Sequence, residues 1–259
     1  MNETEIYEKA IITVDVICPH CDKVWERRTG VRDVLFPYPK SFGDEIEDLC
    51  ADCEAKQFNI NMVERLRIPP RYEDMTFESF DDRTPEIGQI KRRVETLAGD
   101  RWIILMGRRG LGKTHLAVSA LKELYQMGVK PGQYLSAVRF IPDYVRAGFN
   151  RDEIWERFIE HKQVLLLDDL GQGESGKAEG AQDERVSELV GALIDHIYRN
   201  ERQLIVTTNI ESVEGLIGRY GAWAIDRICE CGEFIIFPTG LSSARLTIDK
   251  GILIKGEEK

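Results

Sequence analysis

Residues 107–114, Gly107 to Thr114, read GRRGLGKT and follow directly on the apolar run Trp102–Met106. The pattern is G-x-x-x-x-G-K-[ST]. Glycines after a buried strand let the backbone curl round a polyphosphate, and a helix opening there aims its free N–H groups at the anion. Gly107, Arg108, Arg109, Gly110, Leu111, Gly112, Lys113, Thr114 and His115 are therefore the expected cradle for ATP. Lys113 is expected to reach the β- and γ-phosphates, with its charge facing solvent in the free protein. The Thr114 hydroxyl is expected on Mg2+. Behind the loop, Leu116, Ala117, Ala120, Leu121 and Leu124 recur at helical spacing. Strand before and amphipathic helix after separate this motif from a glycine-rich turn that merely contains Lys-Thr.

Further along, Val164–Leu167 is a continuous apolar run closed by Asp168-Asp169. A strand buried on both faces of a parallel sheet reads this way, and such sheets bind ligands at their carboxyl ends. Asp168 is expected to hold Mg2+ through water, and Asp169 to orient or deprotonate the attacking water. The alternative is a plain strand-end Asp-Asp turn. Gly132–Ser136, Leu204–Val206 and Phe234–Phe237 read as further short strands, the second running into Thr207-Thr208-Asn209. Glu86–Leu97 and Asp183–Arg199 read as helices, and residues 171–182 as a glycine-rich loop. The fold class is α/β, a parallel sheet flanked by helices.

Cys18-Pro19-His20-Cys21 and Cys50-Ala51-Asp52-Cys53 form two C-x-x-C knuckles with 28 residues between them. Four thiolates in tetrahedral array mean a closed, structural Zn2+ site. A redox C-x-x-C, four unrelated thiols and His20 as a substitute ligand are the alternatives. Ile11–Ile17 and Val24–Val34 read as a hairpin around the first knuckle, and Glu54–Val63 as a helix after the second. The organisation expected is a zinc ribbon or treble clef over 1–62 that docks a protein partner, a linker over 63–85, and an ATPase domain over 86–259. Pro69-Pro70 marks the linker as extended. A front domain this small needs its metal to hold together.

The chain has 259 residues, 42% of them hydrophobic, and a formal net charge of −10. That counts against a protein that coats duplex DNA by bulk electrostatics, while leaving room for a local cationic groove. Residues 1–60 alone carry 13 Asp and Glu against 7 Lys and Arg, so the front is a poor nucleic-acid reader and a better protein-docking surface. The start, MNETEIYEKA, is acidic and does not read as a leader, so none is expected, and no apolar run is long enough for a membrane span. The expected compartment is the cytoplasm, with thiols reduced or metal-bound. Cys229 and Cys231 read as ordinary part-buried thiols.

Strand–phosphate loop–helix, strand–Asp-Asp and strand–Thr-Thr-Asn together resemble the AAA+ ATPases. The match narrows to DnaC/DnaI-type helicase loaders and the related IstB-type transposition ATPases through IPPRYEDMTFESF (Ile68–Phe80), LLLDDLG (Leu165–Gly171), VTTN (Val206–Asn209) and GLSSAR (Gly240–Arg245). The resemblance implies strand order 5-1-4-3-2 in the core. It implies that Asn209 reads the γ-phosphate and that Arg227, or more weakly Arg219, is an arginine finger offered to a neighbouring subunit. It gives Arg245 a contact with nucleotide or a neighbour. It also makes Val138–His161 an insertion that touches single-stranded DNA, with Arg139, Arg146, Arg151 and Arg157 beside Phe140, Tyr144, Phe149 and Trp155. Ordinary packing is the alternative for that insertion. The implied partners are a replicative hexameric helicase, single-stranded DNA and further copies of the chain in an ATP-dependent ring or spiral. An IstB-like regulator acting on duplex DNA is the second reading, although the front knuckles favour a loader, and a non-hydrolysing adaptor is the third. The family usually has Asp-Glu where this chain has Asp168-Asp169. A base pulled back by about 1 Å can lose on the order of 10²-fold in rate, so slow hydrolysis is expected.

Overall fold

The computed structural model describes residues 11–17, 21–30, 50–171 and 181–239. The β-prone residues flanking the first knuckle form an antiparallel hairpin, β1 (Ile11–Ile17) and β2 (Val24–Gly30), with Ile17 opposite Val24. Helix α1 (Ala51–Leu66) opens directly behind Cys50, longer at both ends than its periodicity predicts. Asp52 and Glu54 lie in its first turn and Arg65 in its last, the charge distribution that favours a helix dipole. Contacts divide the chain into units Met1–Asn61 and Met62–Lys259.

In the second unit, Met62 and Leu66 are buried in the core. Pro69 is extended, at φ −59° and ψ 145°, but Pro70–Tyr72 closes a single 3-10 turn. The expectation of a wholly extended linker is thus corrected. Proline suits the first position of a helical turn, where the missing N–H has no partner to lose. Phe77 and Phe80 then bury their rings. Helix α2 (Pro85–Leu97) starts on Thr84, whose hydroxyl accepts from the Ile87 N–H at 3.3 Å, a cap worth about 1 kcal/mol.

The apolar runs become five parallel strands: β3 (Trp102–Met106), β4 (Gly132–Ser136), β5 (Val164–Leu170), β6 (Gln203–Thr208) and β7 (Gly232–Ile236). Their order is β4-β5-β6-β3-β7, as the resemblance implies. Side chains alternate across the sheet. Ile103, Leu105, Leu166 and Ile205 face a cluster containing α2 and α3 (Lys113–Gln126), while Ile104, Met106, Leu165, Leu167 and Val206 face the opposite one. That second layer is built from α4 (Ala137–Arg146), α5 (Arg151–Trp155), α6 (Ala181–Arg199), α7 (Val213–Tyr220) and α8 (Ala222–Cys231). Each of these strand side chains is at most 2% exposed, and its burial stabilises the fold by roughly 1.5–3 kcal/mol.

The segment 138–161 is not one helix. It breaks after α4, makes a 3-10 turn at Gly148–Asn150 with Gly148 at φ 54°, then runs through α5 into a π-turn at Glu156–Glu160. No helix among the described residues is long and apolar enough to cross a membrane.

Candidate nucleotide-binding site

At the end of β3 the chain turns through Gly107 (φ 135°), Gly110 (φ 81°) and Gly112 (φ 96°), backbone that L side chains avoid. Gly112 is needed for a second reason. A Cβ there would lie 2.7 Å from Cε2 of Phe80. Leu111 buries its side chain in the core, so the loop is pinned from below while its backbone faces a cleft. Arg108 pairs with Glu211 at 3.3 Å on the exposed side, and Arg109 lines the cleft. Helix α3 opens on Gly112 and presents Lys113 and Thr114 at its first turn.

Lys113 departs from expectation. It is 5% exposed rather than solvent-facing. Its ammonium donates to Gly107 O at 2.7 Å, Arg108 O at 2.8 Å and Asn209 Oδ1 at 2.9 Å. A buried cation must find acceptors, and the curled loop supplies two carbonyls within reach. Asn209, at the end of β6, is thereby brought against the phosphate loop.

Asp168 is the centre of a second network and is 2% exposed. Thr114 Oγ1 donates to its Oδ1 at 2.9 Å, Thr207 Oγ1 to the same oxygen at 2.6 Å, and the Tyr134 hydroxyl to Oδ2 at 2.9 Å. Burial, and then the Asp168 charge, push the Tyr134 phenol well above its ordinary pKa, so it stays a donor. Between Leu167, opposite Val206, and Leu170, opposite Thr208, the register slips, and Asp168 and Asp169 stand against Thr207 alone. The bulge puts Asp169 in the left-handed region, φ 59°, with its N–H donating to Thr207 Oγ1 at 2.8 Å. The two acidic residues therefore face different surroundings, and Asp169 lines the cleft.

The cleft encloses about 300 Å³ and is bounded by Arg71, Tyr72 and Met75 of the proline-led segment opposite the phosphate loop. That segment is strapped to α3. His115 Nε2 lies 2.9 Å from Thr76 O and 3.2 Å from Ser79 Oγ, and Lys122 Nζ donates to Glu73 O and Met75 O. Phe80 meets the His115 ring edge-on at 5.1 Å. Burial lowers the pKa of both His115 and Lys122. The His115 imidazole thus braces the wall of the cleft. The oxygen-rich pair Thr114–Asp168 is the donor set a hard divalent cation such as Mg2+ takes, and Lys113 and the loop N–H groups suit a polyphosphate.

Other expected site residues fall elsewhere. Arg227, on α8, pairs with Asp195 of α6 at 2.9 Å and stacks over Trp223 at 3.7 Å. At 18% side-chain exposure it is held within its own chain. Arg219 is half-buried on α7. In the 138–161 segment four of the eight candidate residues are packed and four are exposed. Phe140 is buried, Tyr144 packs between Phe140 and Trp155, and Arg151 donates to Tyr144 O and Val145 O. Phe149 is fully exposed, and Arg139, Arg146 and Arg157 are exposed too. Cys229 is exposed and Cys231 half-buried. Arg245 and the GLSSAR stretch lie outside the described residues.

In the front unit, the Cys21, Cys50 and Cys53 sulfurs all lie within 4.8 Å of one another, with Cys21 and Cys50 3.6 Å apart. Tetrahedral Zn–S bonds of about 2.3 Å place sulfurs about 3.8 Å apart, so the cluster fits a metal and is too open for a disulfide. Cys18 and His20 lie outside the described residues.

Sequence reading missed Tyr134 and the part played by Thr207. Two threonines closing an otherwise apolar strand were the available sign for Thr207; Tyr134 looks like any strand aromatic. His115, expected in the nucleotide cradle, lines the cleft and also braces the segment facing the phosphate loop.

The chain matches the novel STAND NTPase 3 family over residues 86–233. It is 28% identical to the phage-like element PBSX protein XkdC of Bacillus subtilis (strain 168) across 139 residues, 53% of this chain and 50% of that protein. The chain thus spans about half the length of that relative. In three dimensions it is similar to the DnaC helicase loader, with TM-score 0.56 at 21% identity over 66% of this chain and 100% of that one. It is also similar to DnaI, with TM-score 0.53 at 18% identity over 65% and 93% of the two chains. Domain III of the Thermotoga maritima replication initiation protein DnaA gives TM-score 0.53 at 20% identity over 66% and 69%. These likenesses identify the core as an AAA+ fold.

Proposed function

The chain belongs to the novel STAND NTPase 3 family, and from that premise we propose that it is an ATP-dependent loader of a replicative hexameric helicase. The observation that carries this reading is the cleft itself, where Lys113 and Asn209 meet at 2.9 Å beside Thr114 and Asp168 on an AAA+ sheet. Lys113 leaves the loop carbonyls to bind the β- and γ-phosphates of ATP, and Asn209, released from it, contacts the γ-phosphate. Thr114 and Asp168 hold Mg2+, and Asp169 orients water. Its shorter side chain makes hydrolysis slow. Arg227 serves a neighbouring subunit's ATP in a ring or spiral, which requires it to exchange Asp195 for phosphate.

The thiol cluster of the front unit, completed by Cys18, holds structural Zn2+ and presents the acidic surface that docks the helicase. Single-stranded DNA meets the core at Phe149, with Arg139 and Arg146 on the phosphates. One stacked aromatic contributes roughly 1–3 kcal/mol per base. Site of action is the cytoplasm.

Capture of a replicative helicase by the full chain, with and without ATP, tests this reading. Capture that is lost on replacing Cys21 or Cys50 is expected. ATP-dependent assembly on duplex DNA without helicase capture would instead favour the transposition regulator, and ATP binding without turnover in any assembly the adaptor.

A further inference from the structure

We propose that Tyr134 is a positioning residue for the metal-binding carboxylate, holding Asp168 Oδ2 from the neighbouring strand so that Oδ1 stays on Thr114 Oγ1, whose residue lines the cleft. The proposal rests on the reading of Asp168 as the Mg2+ carboxylate. Tyr134 lies on β4, the edge strand beside β5, two residues before Ser136, which is the residue opposite Asp168. Its ring is 7% exposed and its oxygen is 2.9 Å from Oδ2.

The hydrogen bonds around Asp168 have a defined direction. A hydroxyl has one proton. Thr207 accepts from the Asp169 N–H, so its own proton goes to Asp168 Oδ1. Thr114 also gives its proton to Oδ1, which leaves the Thr114 lone pairs for a cation. Two donors thus converge on one oxygen, and the Tyr134 hydroxyl holds the other. Without that hydroxyl, the buried Oδ2 loses its donor and the carboxylate regains rotation about its last torsion. The metal pair then loses its geometry while Lys113, held by Gly107 O, Arg108 O and Asn209 Oδ1, keeps its own contacts. Tyr134 touches neither nucleotide nor metal, and acts through Asp168.

ATP affinity of the full chain, measured by calorimetry across a Mg2+ titration and in EDTA, separates this from general damage. In Tyr134→Phe the Mg2+ concentration giving half of the metal-dependent gain in affinity should rise about tenfold, the loss expected for one hydrogen bond to a charged group. Affinity in EDTA should stay within about twofold of wild type, as for the phosphate loop's own contacts. Tyr198→Phe, which removes a tyrosine hydroxyl donating to the Glu230 carboxylate at 3.0 Å outside the cleft, should leave the Mg2+ requirement unchanged. An unshifted requirement in Tyr134→Phe overturns the proposal. So does an equal loss in EDTA, or loss of the cooperative melt, since the hydroxyl would then serve the fold and not the metal. If wild-type affinity ignores Mg2+ altogether, the metal reading of Asp168 fails and Tyr134's role with it.

Discussion

Among the side chains described in the front unit, only Cys50 is buried, and what gathers there is three sulfurs. The core unit instead buries two continuous apolar clusters on either face of a five-stranded sheet, and sets its polar site at the strand ends. Hydrophobic burial supports the second; among the described side chains of the first, a metal-shaped cluster is what is gathered. The contrast leads us to expect that the two units fail separately, the front with its proposed Zn2+ and the core with its apolar clusters. Stripping the metal should cost the front its fold and leave the core's chemistry alone.

The sharpest break follows from that. Structural Zn2+ contributes about 10–16 kcal/mol to small domains, so its loss exceeds anything the front can replace. Cys50→Ser should purify without zinc and lose amide-exchange protection across β1 and β2, while ATP affinity stays near wild type. Elemental analysis and hydrogen exchange read both halves; a protected hairpin in metal-free protein would falsify the contrast. Next in size is Lys113→Ala, which should weaken ATP binding by roughly 100-fold, at the strong end for a charge-assisted bond. Zinc content should not move. Because Lys113 is buried against loop carbonyls, a modest drop in melting temperature should accompany it.

A smaller effect probes the bulge. Asp169 sits at φ 59°, which Asp tolerates and Glu does not. Asp169→Glu should therefore lose about 1–2 kcal/mol, a fall of roughly 2–8 °C in melting temperature for a core of this size. Asp169→Asn should melt as wild type yet lose turnover. Equal melting of the Glu and Asn variants would show that the backbone there is not left-handed in solution.

The smallest concerns His115, whose pKa is lowered chiefly by burial. A depressed pKa means the stability is complete above the ordinary value near 6.5 and is lost as pH falls towards the folded value. Between pH 7 and 5 the melting temperature of His115→Gln should fall less steeply than that of wild type. Some slope should persist, since burial depresses His196 in the same direction. Superimposable slopes would remove His115 from the acid response.

The same contrast explains what the sequence could convey. Strands buried on both faces leave continuous apolar runs, so Trp102–Met106 and Val164–Leu167 are readable without a fold. Glycines forced into positive φ are readable too, because few other residues go there. Pairings between distant elements leave no such mark. Asp195 stands 32 positions before Arg227, on another helix, and nothing in either neighbourhood announces that they meet. Likewise Lys113 was identifiable by type and spacing, while its burial depends on how Asn209 is delivered from β6. The aromatics of the 138–161 segment have a composition equally suited to stacking bases and to filling a core, and only packing separates the two.

The strap across the cleft has an evolutionary corollary. His115 and Lys122 grip Glu73, Met75 and Thr76 by main-chain carbonyls, not by side chains. Every residue offers the same carbonyl, so the grip is blind to which amino acids occupy those three positions. Mutational drift at 73 can explore new surface chemistry without loosening the Lys122 grip, whereas the Met75 side chain also packs on the core and Thr76 Oγ1 accepts from the Ser79 N–H. The burden of inheritance falls on the two α3 side chains that do the holding.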